Sequence, residues 1–182
     1  MSALHYSWTE NLLAFDELSK EFEYIEVQFD WASGGLSAIH KGHYFDKAIG
    51  PFGCKRGDYE RRIVDILREN GHRIILLSEE SDEYEERHND CLLNGFSGEI
   101  KTVESYGHWA IRTKFYQTAK QRASCLILYF PKEQLFTYHR VVDGWKLFLS
   151  DPRVISKKNQ DVIQTTYAIV GETILEIEKP PG

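Results

Sequence analysis

Residues 89–102 read Asn-Asp-Cys-Leu-Leu-Asn-Gly-Phe-Ser-Gly-Glu-Ile-Lys-Thr. Apolar Cys91 to Leu93 predicts a short strand, Asn94-Gly95 a turn, and Gly98 to Val103 a second strand, so the stretch reads as a β-hairpin. Side chains alternate along a strand, which puts Glu99 and Lys101 on one face and Ile100 with Thr102 on the other. The hairpin brings Asp90 alongside. Two carboxylates and an ammonium in one space suit phosphodiester cleavage assisted by a hard divalent cation. Asp90 and Glu99 would hold the ion, while Lys101 would orient the water and steady the developing charge. The competing reading is a solvated strand face with cross-strand pairing.

Upstream, Asp58 is placed to cap a helix from Tyr59 to Asn70, with Ile63, Ile66 and Leu67 inward and Gly71 at the left-handed stop. Glu60 lies on the stripe beside those inward positions and supplies a possible third carboxylate. Arg73 to Ser78, centred on Ile-Ile-Leu-Leu, reads as a buried strand. Downstream, Ile111, Phe115 and Ala119 mark a helix over Ala110 to Ala123. Its Lys114, Gln117 and Gln121 share one stripe, where they could contact a phosphate backbone or the Lys101 head. Cys125 to Phe130 is an apolar strand stopped by Pro131. The predicted order is helix, three strands, helix, strand.

Toward the N-terminus, Ser7 and Glu10 have capping-box spacing ahead of an amphipathic helix carrying Leu12, Leu13, Phe15 and Leu18. Ile25, Val27, Phe29 and Trp31 alternate with polar residues and predict a half-buried strand. The glycine-rich residues 32–57 read as a long irregular connection holding His40 and His43. These histidines could border substrate. They could also act as general base and acid in metal-free RNA cleavage with Lys101 stabilising the phosphorane, or simply cap a turn and pack against Tyr44 and Phe45. As a zinc pair they lack a nearby Cys or carboxylate. At the C-terminal end, Phe136 to Val142, Trp145 to Leu149, Val162 to Val170 and Ile174 to Ile177 read as strands, with Asp143-Gly144 as a hairpin turn. Trp31, Trp109 and Trp145 are expected in the core rather than as base-stacking surfaces.

With 182 residues, 42% apolar and 27% charged, the chain suits one α/β domain with a mixed central sheet flanked by helices. Cys54, Cys91 and Cys125 are odd in number and widely spaced, so neither a disulfide framework nor a Cys-pair zinc site is suggested, and a reducing compartment fits. The net charge of −6 offers nucleic acid no global attraction. The acidic run from Glu79 to Glu86 reads as a solvated loop, or as a handle for a basic partner. No secretory signal opens the chain and no apolar run approaches the ~20 residues of a spanning helix, so the expectation is a cytoplasmic chain without membrane contact.

The predicted element order, with Asn89-Asp90 and Glu99-Ile100-Lys101, resembles the PD-(D/E)XK nuclease superfamily over residues 58–130, Asn89 standing where that motif has Pro. A second likeness runs from His40 to Pro131. It includes His40-Lys-Gly-His43-Tyr-Phe45, the Tyr59-Glu60 helix, Ile74 to Glu79, Glu99 to Lys101 and Gln121-Arg-Ala-Ser. This part is similar to the nuclease toxin domains of CdiA-type contact-dependent inhibition proteins and of phage Mu head-morphogenesis-like proteins. The resemblance implies a single domain over 1–182 with a restriction-endonuclease-like core and additional C-terminal strands. It further implies a nucleic-acid substrate, tRNA or DNA, and a possible cognate immunity protein. In the metal-dependent branch Glu60, Asp90 and Glu99 bind Mg²⁺, or Mn²⁺ or Zn²⁺, and Asp90, Glu99, Lys101 and Gln121 are catalytic. His40, His43, Lys114 and Gln117 then contact substrate. A barnase-like, metal-free RNase using His40, His43 and Lys101 is the enzymatic alternative. A binding or immunity module on a nuclease-like fold is the other.

Overall fold

The computed structural model describes residues 5–80, 89–154 and 160–181. They form two compact units, 1–97 and 98–182. The first holds α1 (Trp8–Leu18), β1 (Gln28–Phe29), β2 (Leu36–Ile39), α2 (Arg56–Glu69), β3 (Arg73–Leu76) and β4 (Cys91–Leu93). The division falls within β5 (Phe96–Thr102), and the second unit continues with α3 (Ala110–Lys120), β6 (Cys125–Phe130), α4 (Tyr138–Leu149), β7 (Thr165–Val170) and β8 (Thr173–Glu178). The fold class is therefore mixed α/β, with helices set between strands, as expected. No helix among the described residues is long and apolar enough to cross a membrane.

In the first unit β1 pairs antiparallel with β2, β2 runs parallel to β3, and β3 pairs antiparallel with β4. A parallel pair needs a crossover, and α2 supplies it. Ile63, Val64, Ile66 and Leu67 are buried along that helix, and Gly71, at φ +86°, ends it where expected. Lys55, not Asp58, is the N-cap, so Asp58 sits in the first turn, where its charge still complements the helix dipole. The capping box at α1 forms as read: Ser7 Oγ accepts from the Glu10 amide at 3.1 Å, and the Ser7 amide donates to Glu10 Oε2 at 2.6 Å.

Two expectations for this unit are corrected. The alternating stretch Ile25 to Trp31 keeps only Gln28–Phe29 as strand, and Ile25 and Trp31 are 62% and 65% exposed. The supposed loop 32–57 contains β2, whose four residues are all buried. Flanked by strands on both sides and covered on both faces, β2 has no polar face to betray it by alternation.

The second unit has three parallel strands, β5, β6 and β7, with β8 antiparallel at the end. The register aligns Glu99 with Leu126 and Lys101 with Leu128. Two crossovers are needed, and α3 and α4 make them. The expected strands Phe136 to Val142 and Trp145 to Leu149 are in fact the helix α4, capped by Thr137 Oγ1 accepting from the Arg140 amide at 3.1 Å. Val141, Gly144, Trp145 and Phe148 are buried at helical spacing. Trp145 stacks on Phe115 of α3 with ring centroids 5.1 Å apart. Gly144 is not a hairpin turn but a contact point: a Cβ there would lie 2.7 Å from Ile111 Cγ2.

That close approach yields a stability prediction. Gly144→Val should destabilise the protein by about 1–3 kcal/mol through overpacking, read as a lower urea midpoint. Ile111→Ala, which removes the opposing branch, should restore part of the loss in the double variant. Equal and additive losses in both single variants would contradict the contact.

Candidate functional site

In the first unit the chain 40–46 lies against the end of β3 and the start of α2, and this brings four of the chemically interesting side chains into one environment. His43 is held on both sides of its ring. Nδ1 is 2.7 Å from the Leu77 carbonyl, and Nε2 is 2.5 Å from Glu60 Oε1. The carbonyl can only accept, so Nδ1 carries a proton. The His43 side chain is fully buried, whereas Glu60 is 17% exposed. Burial pushes the imidazole pKa down, but the Glu60 hydrogen bond and charge, the Leu77 carbonyl and the charge of Glu79 outweigh it, and the net shift is upward. The contact with Glu60 therefore favours the protonated form of the His43 ring.

Glu79 belongs to the same environment. Desolvation raises its pKa, the charges of Asp90 and Glu60 add to the rise, and His43 opposes it. Its amide also donates to the Gly42 carbonyl at 3.1 Å, and the Asp90 carbonyl accepts from the Leu77 amide at 3.0 Å. Both ring nitrogens of His43 are thus engaged within the fold, one of them by the Glu60 carboxylate. Helical spacing predicted the placement of Glu60. Its pairing with a histidine 17 residues earlier has no signature in local sequence. His40 is turned elsewhere: its Nδ1 accepts from the Gly42 amide at 3.0 Å, and its ring packs edge-on against Tyr24. Of the acidic run, Asp82 to Glu86 lie outside the described residues.

In the second unit Glu99 and Lys101 share one face of β5, as alternation requires. Lys101 Nζ lies 3.0 Å from Glu99 Oε2, with the lysine side chain 23% exposed and the glutamate 3% exposed. A solvated strand face is excluded by that burial. The negative charge is felt by its neighbour Cys125, whose thiol is pushed up to about 12, mainly by burial and further by Glu99. On α3, Gln117 is exposed while Lys114 and Gln121 are half-buried, and Gln121 forms the C-cap, its amide donating to the Gln117 carbonyl at 3.1 Å.

A divalent metal asks for several hard oxygens converging on one point. The carboxylates of Glu60, Asp90 and Glu99 are the right donor type. Among the described residues, however, no group of three or more His, Cys, Asp or Glu side chains is arranged to hold a metal ion. The geometry as it stands does not form a complete ligand set, and no catalytic step is derived through one.

No family model matches the chain, and no curated protein matches it. Among solved structures, the fold is similar to that of a chain from a CdiA-CT/CdiI toxin and immunity complex of Burkholderia pseudomallei. The match has 12% sequence identity and a TM-score of 0.50, and covers 78% of this chain and 98% of that chain. At that identity the likeness shows a shared fold and nothing beyond it.

The His43–Glu60 pair predicts a pH dependence of stability. A histidine whose folded pKa lies above its unfolded value of about 6.5 contributes fully below that value and loses its contribution as pH rises through the folded pKa. Urea unfolding should therefore show a stability gap between wild type and His43→Gln that shrinks as pH rises above about 6.5. A gap that widens with pH would contradict the pairing.

Proposed function

We propose that this chain is a nuclease that hydrolyses phosphodiester bonds of tRNA or DNA, acting in the cytoplasm as the toxin half of a toxin and immunity pair. The observation that carries the proposal is the Glu99–Lys101 pair, 3.0 Å apart on one face of β5, with the carboxylate buried and the lysine half-buried. Burying a carboxylate and an ammonium is costly, and replacing such a pair by apolar residues is often neutral or stabilising, so stability alone is a poor reason to keep it. Function is the better reason. In this reading Glu99 fixes the Lys101 ammonium, which donates to the attacking water and stabilises charge gathering on the phosphoryl oxygens.

Gln121 is assigned to steady that water or the phosphate, and Lys114 and Gln117 to contact the substrate backbone. Glu60 and Asp90 of the first unit and, separately, Glu99 of the second are oxygen donors of the type that Mg²⁺, Mn²⁺ or Zn²⁺ takes, and such an ion would supply Lewis-acid activation of the phosphate. His43 orients Glu60 by its ring hydrogen bond, a role of the kind that supports ligand carboxylates in metal sites. The engaged nitrogens of His43 and the Gly42 contact of His40 favour this assignment over a metal-free RNase in which those histidines exchange protons with substrate.

A second reading has its own support. The similar fold occurs in a complex that contains a toxin and an immunity protein, and the net charge of −6 would suit an immunity module that binds a basic partner. One experiment separates the readings: cleavage of bulk tRNA, other RNA, and single- and double-stranded DNA, with Mg²⁺, Mn²⁺ or EDTA. The nuclease reading expects metal-dependent cutting that falls about 100-fold or more in Glu99→Ala and in Lys101→Ala. Cutting that survives EDTA would remove the metal from the proposal. No cutting of any substrate would overturn the nuclease and favour the immunity module.

A further inference from the structure

The segment that follows β5 carries an arrangement that the catalytic proposal does not use. Residues 104–109, Glu-Ser-Tyr-Gly-His-Trp, connect β5 to α3, and Tyr106 and Trp109 are 70% and 52% exposed. Exposed aromatics on a loose loop would mean little, but this loop is tied down. Arg140 of α4 donates through Nη2 to the Ser105 carbonyl at 2.6 Å and to the Gly107 carbonyl at 3.2 Å, and through Nη1 to the Leu135 carbonyl at 2.6 Å. Trp109 is also the N-cap residue of α3, its carbonyl accepting from Thr113 Oγ1 at 2.9 Å, while its ring takes no part in capping.

Beneath the indole lies an arginine cluster. Trp109, Arg112 and Tyr116 recur at i, i+3 and i+7 and so form one stripe of α3. The Arg112 guanidinium sits 4.8 Å from the Trp109 ring centre and 5.1 Å from that of Tyr116. Asp151 clamps Arg112 from one side and Arg153 from the other, with Arg153 Nη2 3.0 Å and Nε 3.2 Å from its carboxylate. The guanidinium bonds hold the Asp151 carboxyl far below the usual range, so the clamp stays charged at any physiological pH. Arg153 keeps 76% of its side chain exposed. Two arginines, Arg112 and Arg153, meet the single carboxylate of Asp151, so the cluster itself carries one excess positive charge.

We propose that Trp109, with Tyr106 on the same loop, is a stacking platform for unpaired bases of a nucleic-acid strand, and that Arg153 meets an adjacent phosphate. Every base offers a π-face, so such a platform binds single strands, loops and frayed ends with little sequence preference. The guanidinium under the indole fixes the ring plane in advance, which lowers the ordering cost of binding. The inference rests on the nuclease reading for its choice of ligand and names the form of substrate that site would receive: unpaired rather than duplex. A buried tryptophan would serve the core equally well, as Trp145 does at 0% exposure. Trp109 does not.

The test is fluorescence anisotropy in EDTA, which prevents metal-dependent cutting, using labelled single-stranded RNA and DNA oligonucleotides and the matching duplexes. Trp109→Ala should weaken single-strand binding by about tenfold or more, and Trp109→Phe should restore most of it. Arg153→Gln should lower the slope of log affinity against log salt by about one. Wild type that binds no single strand, or binds duplex as tightly as single strand, would overturn the platform. So would Trp109→Ala with wild-type affinity. Melting curves check that Trp109→Ala folds; if it does not, Trp109→Phe and Tyr106→Leu decide, a tight former and a weakened latter being the supporting result. If the protein cuts nothing yet Trp109→Ala loses binding, the nuclease reading fails and the platform stands. If it cuts and Trp109→Ala binds normally, the platform alone fails.

Discussion

Three parallel strands in succession, β5, β6 and β7, impose the constraint on which the second unit depends. Parallel neighbours cannot be joined by a tight turn, so the chain must leave the sheet and return through a helix each time. Helices α3 and α4 are those returns, and their shared apolar seam of Ile111, Phe115, Trp145 and Phe148 is buried to 2% exposure or less. At the centre of β6, Leu126, Ile127 and Leu128 are at 0% exposure. In that setting Glu99, at 2% exposure, is an acidic group placed where an apolar one would be expected. Its nearness to Lys101 offsets the desolvation, and apolar packing alone does not account for the pair.

The first unit makes a parallel case by a different route. A single crossover, β2 to α2 to β3, brings the start of α2 beside the chain that leaves β2, and the fully buried His43 side chain bridges the Leu77 carbonyl and the Glu60 carboxylate. A carboxylate fixed by a buried histidine has lost most of its rotamer freedom before any ligand arrives. The entropic cost of ordering a glutamate is then already met in folding. Both units thus hold a glutamate by a nitrogen-bearing side chain at hydrogen-bonding distance, Glu60 by His43 and Glu99 by Lys101.

How much of this was readable from sequence depends on whether the signal is local. Strand alternation placed Glu99 with Lys101, and the Ser7–Glu10 spacing placed the start of α1, because both patterns lie within a few residues of chain. The helix α4 was misread because Asp143-Gly144 mimics a hairpin turn. Its true marker was the spacing of Val141, Trp145 and Phe148, and the glycine answers to Ile111 on a neighbouring helix, about which local sequence is silent. Strand β2 was missed for the opposite reason: Leu-Ser-Ala-Ile buried on every side shows no period at all. The alternation of Ile25 to Trp31 was real but led to only two paired residues, because a strand also needs a neighbour to bond along its length. The His43–Glu60 contact and the Asp151 clamp on Arg112 and Arg153 join residues whose closeness only the fold creates. Trp109 carried no sequence mark to separate it from Trp145, although one is half exposed and the other fully enclosed.

The central claim is that Glu99 and Lys101 are kept for chemistry rather than for stability, and the most direct measurement is a paired one on the double variant Glu99→Gln/Lys101→Met: urea unfolding and single-turnover cleavage on the same preparation. Removing both charges together leaves no unpaired ion in the sheet, so stability should stay within about 1–2 kcal/mol of wild type while cleavage is lost. A double variant that still cuts at the wild-type rate would contradict the claim. So would one that loses several kcal/mol of stability in proportion to its lost activity, for then the pair would be a structural ion pair and nothing more.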